Sequence, residues 1–118
     1  MMFNPEGRGL RKVMRERDEK VLRILWREAR ATGDLVKETG LRREDVLRIL
    51  GELHEQGIID VTEDYTMGSR RDIWSAKFDE AGFRRLMVRR VLRSLLEDWP
   101  EAKDVILEMM RGEAGRGP

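Results

Sequence analysis

The chain has 118 residues, of which 40% are apolar and 40% are charged, and its formal net charge is +1. This length suits one globular domain with a short appendage. No apolar run is long enough for a membrane span or a secretory signal, so we expect neither. Cysteine is absent, which excludes disulfides and thiolate metal sites and fits a reducing, cytoplasmic setting. Dense charge with one Asn and one Gln favours a thermophilic source.

The charge is unevenly distributed along the chain. Residues 1–30 carry nine Lys or Arg against five Asp or Glu, residues 31–79 carry seven against eleven, and residues 80–118 carry eight against seven. The basic charge therefore lies outside the central part of the chain. This distribution is unfavourable for a central segment that would bind phosphate groups.

Residues 1–17 are expected to form either a basic N-terminal arm or an extension of the first helix. Their basic residues are Arg8, Arg11, Lys12, Arg15 and Arg17. As a flexible arm they would follow phosphates, and as a helix they would form its polar face. Asp18 is a suitable N-cap for a helix to about Arg30, because apolar residues follow it at helical spacing.

Two further helices are predicted on either side of a glycine turn. After a small strand or turn at 31–33, Asp34 can cap a helix over 35–39, and Gly40 is typical of a helix C-terminus. A third helix is predicted over 43–56. Its core stripe consists of Val46, Leu50 and Leu53.

A β-hairpin is predicted after the third helix. Ile59 and Val61 alternate with polar residues, and Gly68 and Ser69 are typical of a hairpin tip. The return strand is expected to point three residues inward: Trp74, Ala76 and Phe78.

The order of helix, short link, helix, glycine turn, helix and hairpin is the layout of a winged helix. Residues 33–61, GDLVKETGLRREDVLRILGELHEQGIIDV, resemble the helix-turn-helix of MarR-like and ArsR-like transcriptional regulators. They are also similar to the winged helix of archaeal transcription factor E. The resemblance implies a mostly α-helical fold with a small β-hairpin wing, in which residues 18–79 form a winged helix-turn-helix domain followed by C-terminal helices.

The resemblance also implies a DNA-binding surface. Helix 43–56 would be the recognition helix in the major groove, and the wing, residues 64–72, would contact the DNA backbone or minor groove. The residues expected to contact DNA are Lys37, Arg42, Arg43, Leu47, Arg48, Ser69, Arg70 and Arg71. This chain departs from the family pattern because Arg42 stands where Ser or Thr usually caps the helix. Glu44 and Asp45 would repel phosphates if they faced DNA.

Residues 80–112 are predicted to be a C-terminal helical dimerisation segment, and residues 113–118 a disordered tail. A helix over 80–98 ends before Pro100, which can occupy the first turn of another helix over 101–111. The residues expected at the dimer interface are Phe83, Met87, Val91, Leu95, Trp99, Val105, Ile106 and Met109. The five arginines of residues 84–93 would form a solvated face, or a second surface for nucleic acid or an acidic protein.

The sequence contains no catalytic constellation, phosphate-binding loop or metal-ligand pair, and His54 is its single histidine. We therefore expect no enzyme activity, cofactor or metal. The leading hypothesis is a homodimeric regulator that binds double-stranded DNA. The alternative is a protein-interaction module that binds a component of a transcription or replication assembly, which the acidic balance of residues 31–79 favours.

Overall fold

The computed structural model describes residues 3–66 and 68–116, and for residues 113–116 it describes the backbone only. A 3₁₀ turn at Gly9–Lys12 precedes five α-helices and three short strands. In chain order these are α1 (Glu16–Arg27), β1 (Arg30–Ala31), α2 (Thr32–Thr39), α3 (Arg43–Glu55), β2 (Ile59–Asp64), β3 (Arg71–Ala76), α4 (Glu80–Asp98) and α5 (Ala102–Arg116). The predicted fold class, mostly helical with a small hairpin wing, is confirmed.

The chain divides into two compact units, residues 1–83 and 84–118. In the first unit, apolar residues of α1, α2 and α3 form the core together with the start of β2. The predicted stripe of α3, Val46, Leu50 and Leu53, is buried, and Ile49 joins it. Gly40 ends α2 in the left-handed conformation, with φ of 71°, as its position in the sequence predicted.

The sheet has the strand order β1-β3-β2, and all of its pairings are antiparallel. Trp74 in the central strand lies opposite Arg30 of β1 and Val61 of β2. Its indole N–H donates a buried hydrogen bond to Oγ1 of Thr32, at 2.9 Å. Of the three residues predicted to point inward, Trp74 is buried and Ala76 and Phe78 are half-buried. The strand β1 thus attaches the hairpin to the start of α2.

Two predicted helix starts were wrong. α1 begins at Glu16 with Arg15 as its N-cap, and Asp18 lies in the first turn, where its carboxylate accepts the backbone N–H of Arg15 at 3.1 Å. α2 begins at Thr32, after Ala31, and Asp34 again lies in the first turn. In both cases the preceding residues are held by tertiary contacts, since Met14 is buried and Ala31 pairs with β3. Those contacts fix the start of the helix, and the acidic residue then supports the first turn.

Residues 3–14 pack within the first unit, which differs from the expected flexible arm. Leu10 and Met14 are buried, and the backbone N–H of Asn4 donates to the carbonyl oxygen of Lys12 at 2.6 Å. At Gly7 an added Cβ would lie 2.4 Å from the carbonyl oxygen of Arg11. The segment is therefore closely packed, and it does not extend α1 as one helix.

Phe83, at the end of the first unit, is fully buried, and its ring centroid lies 5.8 Å from that of Trp26. This corrects its expected place at the dimer interface, because a core side chain is not available to a partner. Met87 is also buried within the protomer. The apolar spacing of α4 did not distinguish residues that face the core from residues that face solvent.

In the second unit, α4 continues from Arg84 to Asp98, and a turn at residues 99–101 leads into α5. Pro100 lies in this turn and not in the helix. The helix continues to Arg116, into the segment expected to be a disordered tail, and the last two residues of that segment lie outside the described part. Among the described residues no helix has the length and apolar character needed to cross a membrane.

Candidate nucleic-acid interface

The third helix buries one side and exposes the other. Asp45, Val46, Ile49, Leu50 and Leu53 are buried. Over residues 43–51 the opposite side, here called the outward face of α3, consists of the exposed residues Arg43, Glu44, Leu47, Arg48 and Gly51, and the exposed Glu55 follows one turn later. Three residues predicted to contact DNA, Arg43, Leu47 and Arg48, therefore lie together on the solvent side of one helix. Leu47 is 44% exposed, so an apolar side chain is presented between charged ones.

Asp45 is the centre of an arginine cluster at the N-terminal end of α3. Its Oδ1 lies 3.0 Å from Nη2 of Arg48, and its Oδ2 lies 3.5 Å from Nε of Arg42 and 3.6 Å from Nη1 of Arg17. The Asp45 side chain is only 10% exposed, whereas the arginine side chains remain between 55% and 77% exposed. One carboxylate thus holds three guanidinium groups that stay open to solvent, and the cluster keeps a positive charge.

This arrangement removes the expected repulsion between Asp45 and DNA phosphates. The carboxylate points away from the outward face and is compensated by three cations. The carboxylate accepts charge-assisted hydrogen bonds from Arg48 and Arg42 and forms an ion pair with Arg17, and these contacts restrain the three side chains. The arginines are therefore ordered before any ligand arrives, which lowers the entropy that binding must supply.

Arg17 was not among the residues predicted for this surface, because the sequence places it in the basic N-terminal segment. The start of α1 brings it next to α3, where it pairs with Asp45. Such a long-range ion pair leaves no local pattern, and only the packing of α1 against α3 brings the two residues together.

Glu44 differs from its neighbour Asp45. It is exposed on the outward face, and its side chain forms no ion pair or hydrogen bond within residues 3–66 and 68–116. Its position in the first turn of α3 suits the helix dipole. The acidic character that the sequence indicated at this helix start is therefore reduced to one uncompensated carboxylate.

Lys37 lies in the last turn of α2 and is exposed. Gly40, with its positive φ, turns the chain from α2 toward the N-terminal end of α3. Lys37 is therefore an exposed residue of the helix that precedes the arginine cluster.

The wing arginines are exposed but already paired with carboxylates of the hairpin. Nη2 of Arg70 lies 3.0 Å from Oε1 of Glu63 and 3.4 Å from Oδ1 of Asp72. Nη2 of Arg71 lies 3.2 Å from Oδ2 of Asp64, which is its direct partner in the strand register. Ser69 is exposed at the tip, and Met67 lies outside the described residues. A phosphate would have to compete with these carboxylates for both arginines.

The carboxylate of Asp64 organises the start of the wing tip. The side-chain hydroxyl and then the backbone N–H of Thr66 donate to it, and Arg71 adds a further hydrogen bond; together they lower the pKa of Asp64 to about 2. The hydroxyl of Tyr65 donates to Oε2 of Glu63 at 2.6 Å, which raises the pKa of Tyr65. These contacts stabilise the loop between β2 and β3 without any ligand.

Ion pairs between segments explain the acidic balance of residues 31–79. Arginines from the first thirty residues neutralise three of its carboxylates: Arg15 pairs with Glu52, Arg17 with Asp45, and Arg30 with Glu38. The charge sum of a sequence segment therefore does not describe the surface that the segment presents.

His54 is exposed near the end of α3, and its ring meets that of Trp74 edge-on with 6.1 Å between centroids. Within the described residues no group of three or more His, Cys, Asp or Glu side chains is arranged to hold a metal ion.

No protein-family model and no curated protein matches the chain. Several solved structures are similar to the chain. The PcaV transcriptional regulator from Streptomyces coelicolor, in complex with its natural ligand, is 22% identical with a TM-score of 0.53, over 89% of this chain and 77% of that one. A possible transcriptional regulator from Methanosarcina mazei is 18% identical with a TM-score of 0.55, over 81% and 78%.

A third similar structure is ZitR from Lactococcus lactis in complex with DNA, which is 13% identical with a TM-score of 0.51, over 100% of this chain and 84% of that one. At these identities the likeness concerns the fold. The predicted winged helix-turn-helix fold is confirmed.

Proposed function

We propose that this protein is a DNA-binding transcriptional regulator that acts as a homodimer on double-stranded DNA. The observation that carries the proposal is the set of three exposed arginines ordered around Asp45 at the N-terminal end of α3. This is the end of the recognition helix that enters the major groove in helix-turn-helix proteins. The fold's similarity to a regulator solved with DNA supports the same assignment. The proposal includes no catalytic activity, and binding of chromosomal DNA implies a cytoplasmic location.

In this proposal the outward face of α3 reads bases. Arg43 and Arg48 have the forked donors that match O6 and N7 of guanine, and Leu47 offers an apolar contact for a thymine methyl group. Arg48 is held by Asp45, whereas the side chain of Arg43 forms no ion pair within the described residues. Arg48 would therefore fix the register of the helix, and Arg43 would adapt to the base it meets.

The remaining predicted residues, together with Arg17, would contact the DNA backbone. Lys37, Arg42 and Arg17 flank the start of α3 and would neutralise phosphates. Ser69, Arg70 and Arg71 of the wing would reach phosphate or the minor groove. Because Glu63, Asp64 and Asp72 already pair with the wing arginines, we expect the wing to contribute less affinity than the arginine cluster.

Dimerisation is assigned to the second unit. Of the residues predicted for it, Trp99, Val105 and Met109 are 59%, 50% and 63% exposed. Three others are half-buried: Val91, Leu95 and Ile106. Exposed apolar surface of this extent usually marks an interaction site. A two-fold dimer would present two copies of α3 to a pseudo-palindromic site.

Binding to a mixed-sequence duplex, measured by fluorescence anisotropy at increasing salt, tests DNA binding. We expect binding at low salt that weakens steeply as salt displaces the phosphate contacts. The double substitution Arg43→Ala with Arg48→Ala should abolish it. Arg8→Ala with Arg27→Ala removes the same charge from exposed positions outside the site and should change affinity only slightly. Absence of binding by the wild-type protein at low salt would refute the proposal.

A further inference from the structure

A cleft in the first unit lies apart from the proposed DNA-contacting residues. It is lined by three parts of the chain: residues 4–14, the start of α1 at residues 15–18, and the end of α3 at residues 52–56. We call it the N-terminal cleft. Its volume is about 760 Å³, which is enough for a small molecule. The cleft lies at the opposite end of α3 from the arginine cluster around Asp45.

The lining of the N-terminal cleft carries more negative than positive groups. Three carboxylates and two guanidinium groups line it: Glu16, Asp18, Glu52, Arg11 and Arg15. Nε of Arg15 lies 3.4 Å from Oδ2 of Asp18, and its Nη2 lies 3.5 Å from Oε2 of Glu52. Nη2 of Arg11 lies 3.9 Å from Oε2 of Glu16. Charge-assisted hydrogen bonds usually span about 2.7–2.9 Å, so these carboxylates can accept further donors.

Asp18 gives an independent sign that a ligand with hydrogen-bond donors fits this cleft. The residue is only 8% exposed. Its Oδ2 accepts the backbone N–H of Arg15 at 3.1 Å, whereas its Oδ1 is buried and has no hydrogen-bond partner among the residues that the structure describes. Buried carboxylate oxygens are nearly always hydrogen-bonded, because burying a charge without a donor is costly. Since the carboxylate of Asp rotates easily about its last side-chain bond, Oδ1 can turn toward a donor in the cleft.

The chemistry of the lining favours an organic cation over an anion or a metal ion. An anion would add to the excess of negative charge. The carboxylates of the cleft do not form a metal-ligand group, since no three such side chains of the described residues are arranged to hold a metal ion. An ammonium group instead supplies a positive charge and up to three N–H donors. The half-buried Val13 and the buried Met14 add apolar surface to the same cleft, where an alkyl chain can pack.

We propose that the N-terminal cleft binds a small aliphatic primary amine, whose ammonium group contacts Asp18 and Glu52 and whose alkyl chain lies against Val13 and Met14. Both carboxylates lie within 3.5 Å of the guanidinium group of Arg15, so they are close enough to share one further cation. A single ammonium group compensates the one excess negative charge of the lining. The inference does not rest on the proposed function, because the cleft includes none of the residues assigned to DNA contact.

Isothermal titration calorimetry on the full-length protein without DNA tests the site. The probes n-butylamine, putrescine and L-leucine share the ammonium group, and the tightest of them identifies the ligand as a simple amine, a polyamine or an amino acid. Tetramethylammonium has the charge but no N–H donor and should bind at least about tenfold more weakly than the tightest probe.

Two substitutions of the lining and one control locate the binding. Asp18→Asn keeps the side-chain size and an acceptor for the backbone N–H of Arg15, and Glu52→Gln changes a side chain that is 47% exposed. Each should weaken binding of the tightest amine by about tenfold. Glu55→Gln removes an exposed carboxylate of the same helix that does not line the cleft, and it should leave the affinity unchanged.

Several outcomes would overturn the proposal. Absence of binding by all three amines at millimolar concentration would do so, as would tetramethylammonium binding as tightly as the amines, which would indicate attraction by net charge alone. Amine binding that survives both Asp18→Asn and Glu52→Gln, or that is weakened equally by Glu55→Gln, would place the amine elsewhere. If circular dichroism shows that Asp18→Asn does not fold, Glu52→Gln decides, because that side chain lies at the surface.

Discussion

Nη1 of Arg17 lies 3.6 Å from Oδ2 of Asp45, so an ion pair joins the start of α1 to the N-terminal end of α3. Asp45 also holds Arg42 and Arg48. The position of the candidate DNA-reading residues therefore depends on a carboxylate that touches no DNA in the proposal. Substitutions of Asp45 should change the stability of the fold and the recognition of DNA by different amounts. Measuring both therefore tests the role given to the arginine cluster.

Replacing Asp45 with Ala should lower both stability and sequence discrimination. The free energy of unfolding is expected to fall by about 1–2 kcal/mol, because a buried carboxylate loses its charge-assisted hydrogen bonds and the start of α3 loses a favourable charge. Affinity for mixed DNA should fall little, since the net charge rises. Urea unfolding and anisotropy on cognate and mixed duplexes would measure the two effects.

The matched control for Asp45 is Glu44→Ala, which removes the adjacent carboxylate but no ion pair formed within the described residues. Its unfolding free energy should change by less than about 0.5 kcal/mol. Equal destabilisation by both substitutions would contradict the role given to the arginine cluster.

Gly51 should be replaceable with a gain in stability. It lies inside α3 on the outward face, and a Cβ built there meets no atom within 4 Å. Gly51→Ala is expected to raise the free energy of unfolding by about 1 kcal/mol, which is the difference in helix propensity. If α3 enters the major groove closely, DNA affinity should fall in the same variant, because the added methyl group meets the DNA.

Gly40→Ala provides the opposite control, since φ at Gly40 is 71°. Alanine is strained in this conformation, so the variant should be less stable than wild type. A Gly51→Ala variant that gains stability and keeps full DNA affinity would argue against close approach of DNA at this point.

Much of the fold was predictable because it follows from local patterns. The stripe of Val46, Leu50 and Leu53 and the helix-ending Gly40 are short-range features, and the structure confirms them. The different environments of Glu44 and Asp45 could be predicted in part from the sequence. Asp45 lies four residues before the buried Ile49, so helical periodicity places it on the inner flank and Glu44 outside.

The ion pair of Asp45 with Arg17 could not be predicted from the sequence in this way. The rest of α1, β1 and α2 lie between Arg17 and Asp45 in the sequence, and no local pattern encodes their ion pair. The same holds for Phe83, whose spacing matched a dimer stripe but whose ring packs beside Trp26. Periodicity shows that a helix face is apolar, whereas the tertiary arrangement decides what covers it.

The stabilising contacts of the Asp64 carboxylate in the wing should be lost only at unusually low pH. The hydrogen bonds from Thr66, with Arg71, lower the pKa of Asp64 from its ordinary value of 3.8 to about 2. A lowered folded-state pKa means that the ionised carboxylate stabilises the fold above the unfolded value, and that this stabilisation disappears as pH falls from about 4 to about 2. Asp64→Asn removes this titration.

The stability difference between wild type and Asp64→Asn should therefore be constant above about pH 4 and should shrink below it. Urea unfolding at a series of pH values measures this difference. Thr66→Ala, which removes the leading hydrogen bond to the carboxylate, should move the loss toward higher pH. A difference that stays constant down to pH 2 would contradict the assignment of the shift to Asp64.

Glu44→Gln should change the balance between affinity and specificity at the proposed interface. Its carboxylate is the uncompensated negative charge on the outward face of α3, so its removal should raise affinity for mixed DNA by about two- to tenfold. A carboxylate in the major groove also accepts a hydrogen bond from the N4 amino group of cytosine. Selection of duplexes from a random pool should therefore show reduced preference for one C·G pair in the variant. Unchanged affinity together with an unchanged selected sequence would place Glu44 outside the DNA-contacting surface and would require α3 to bind in a different orientation.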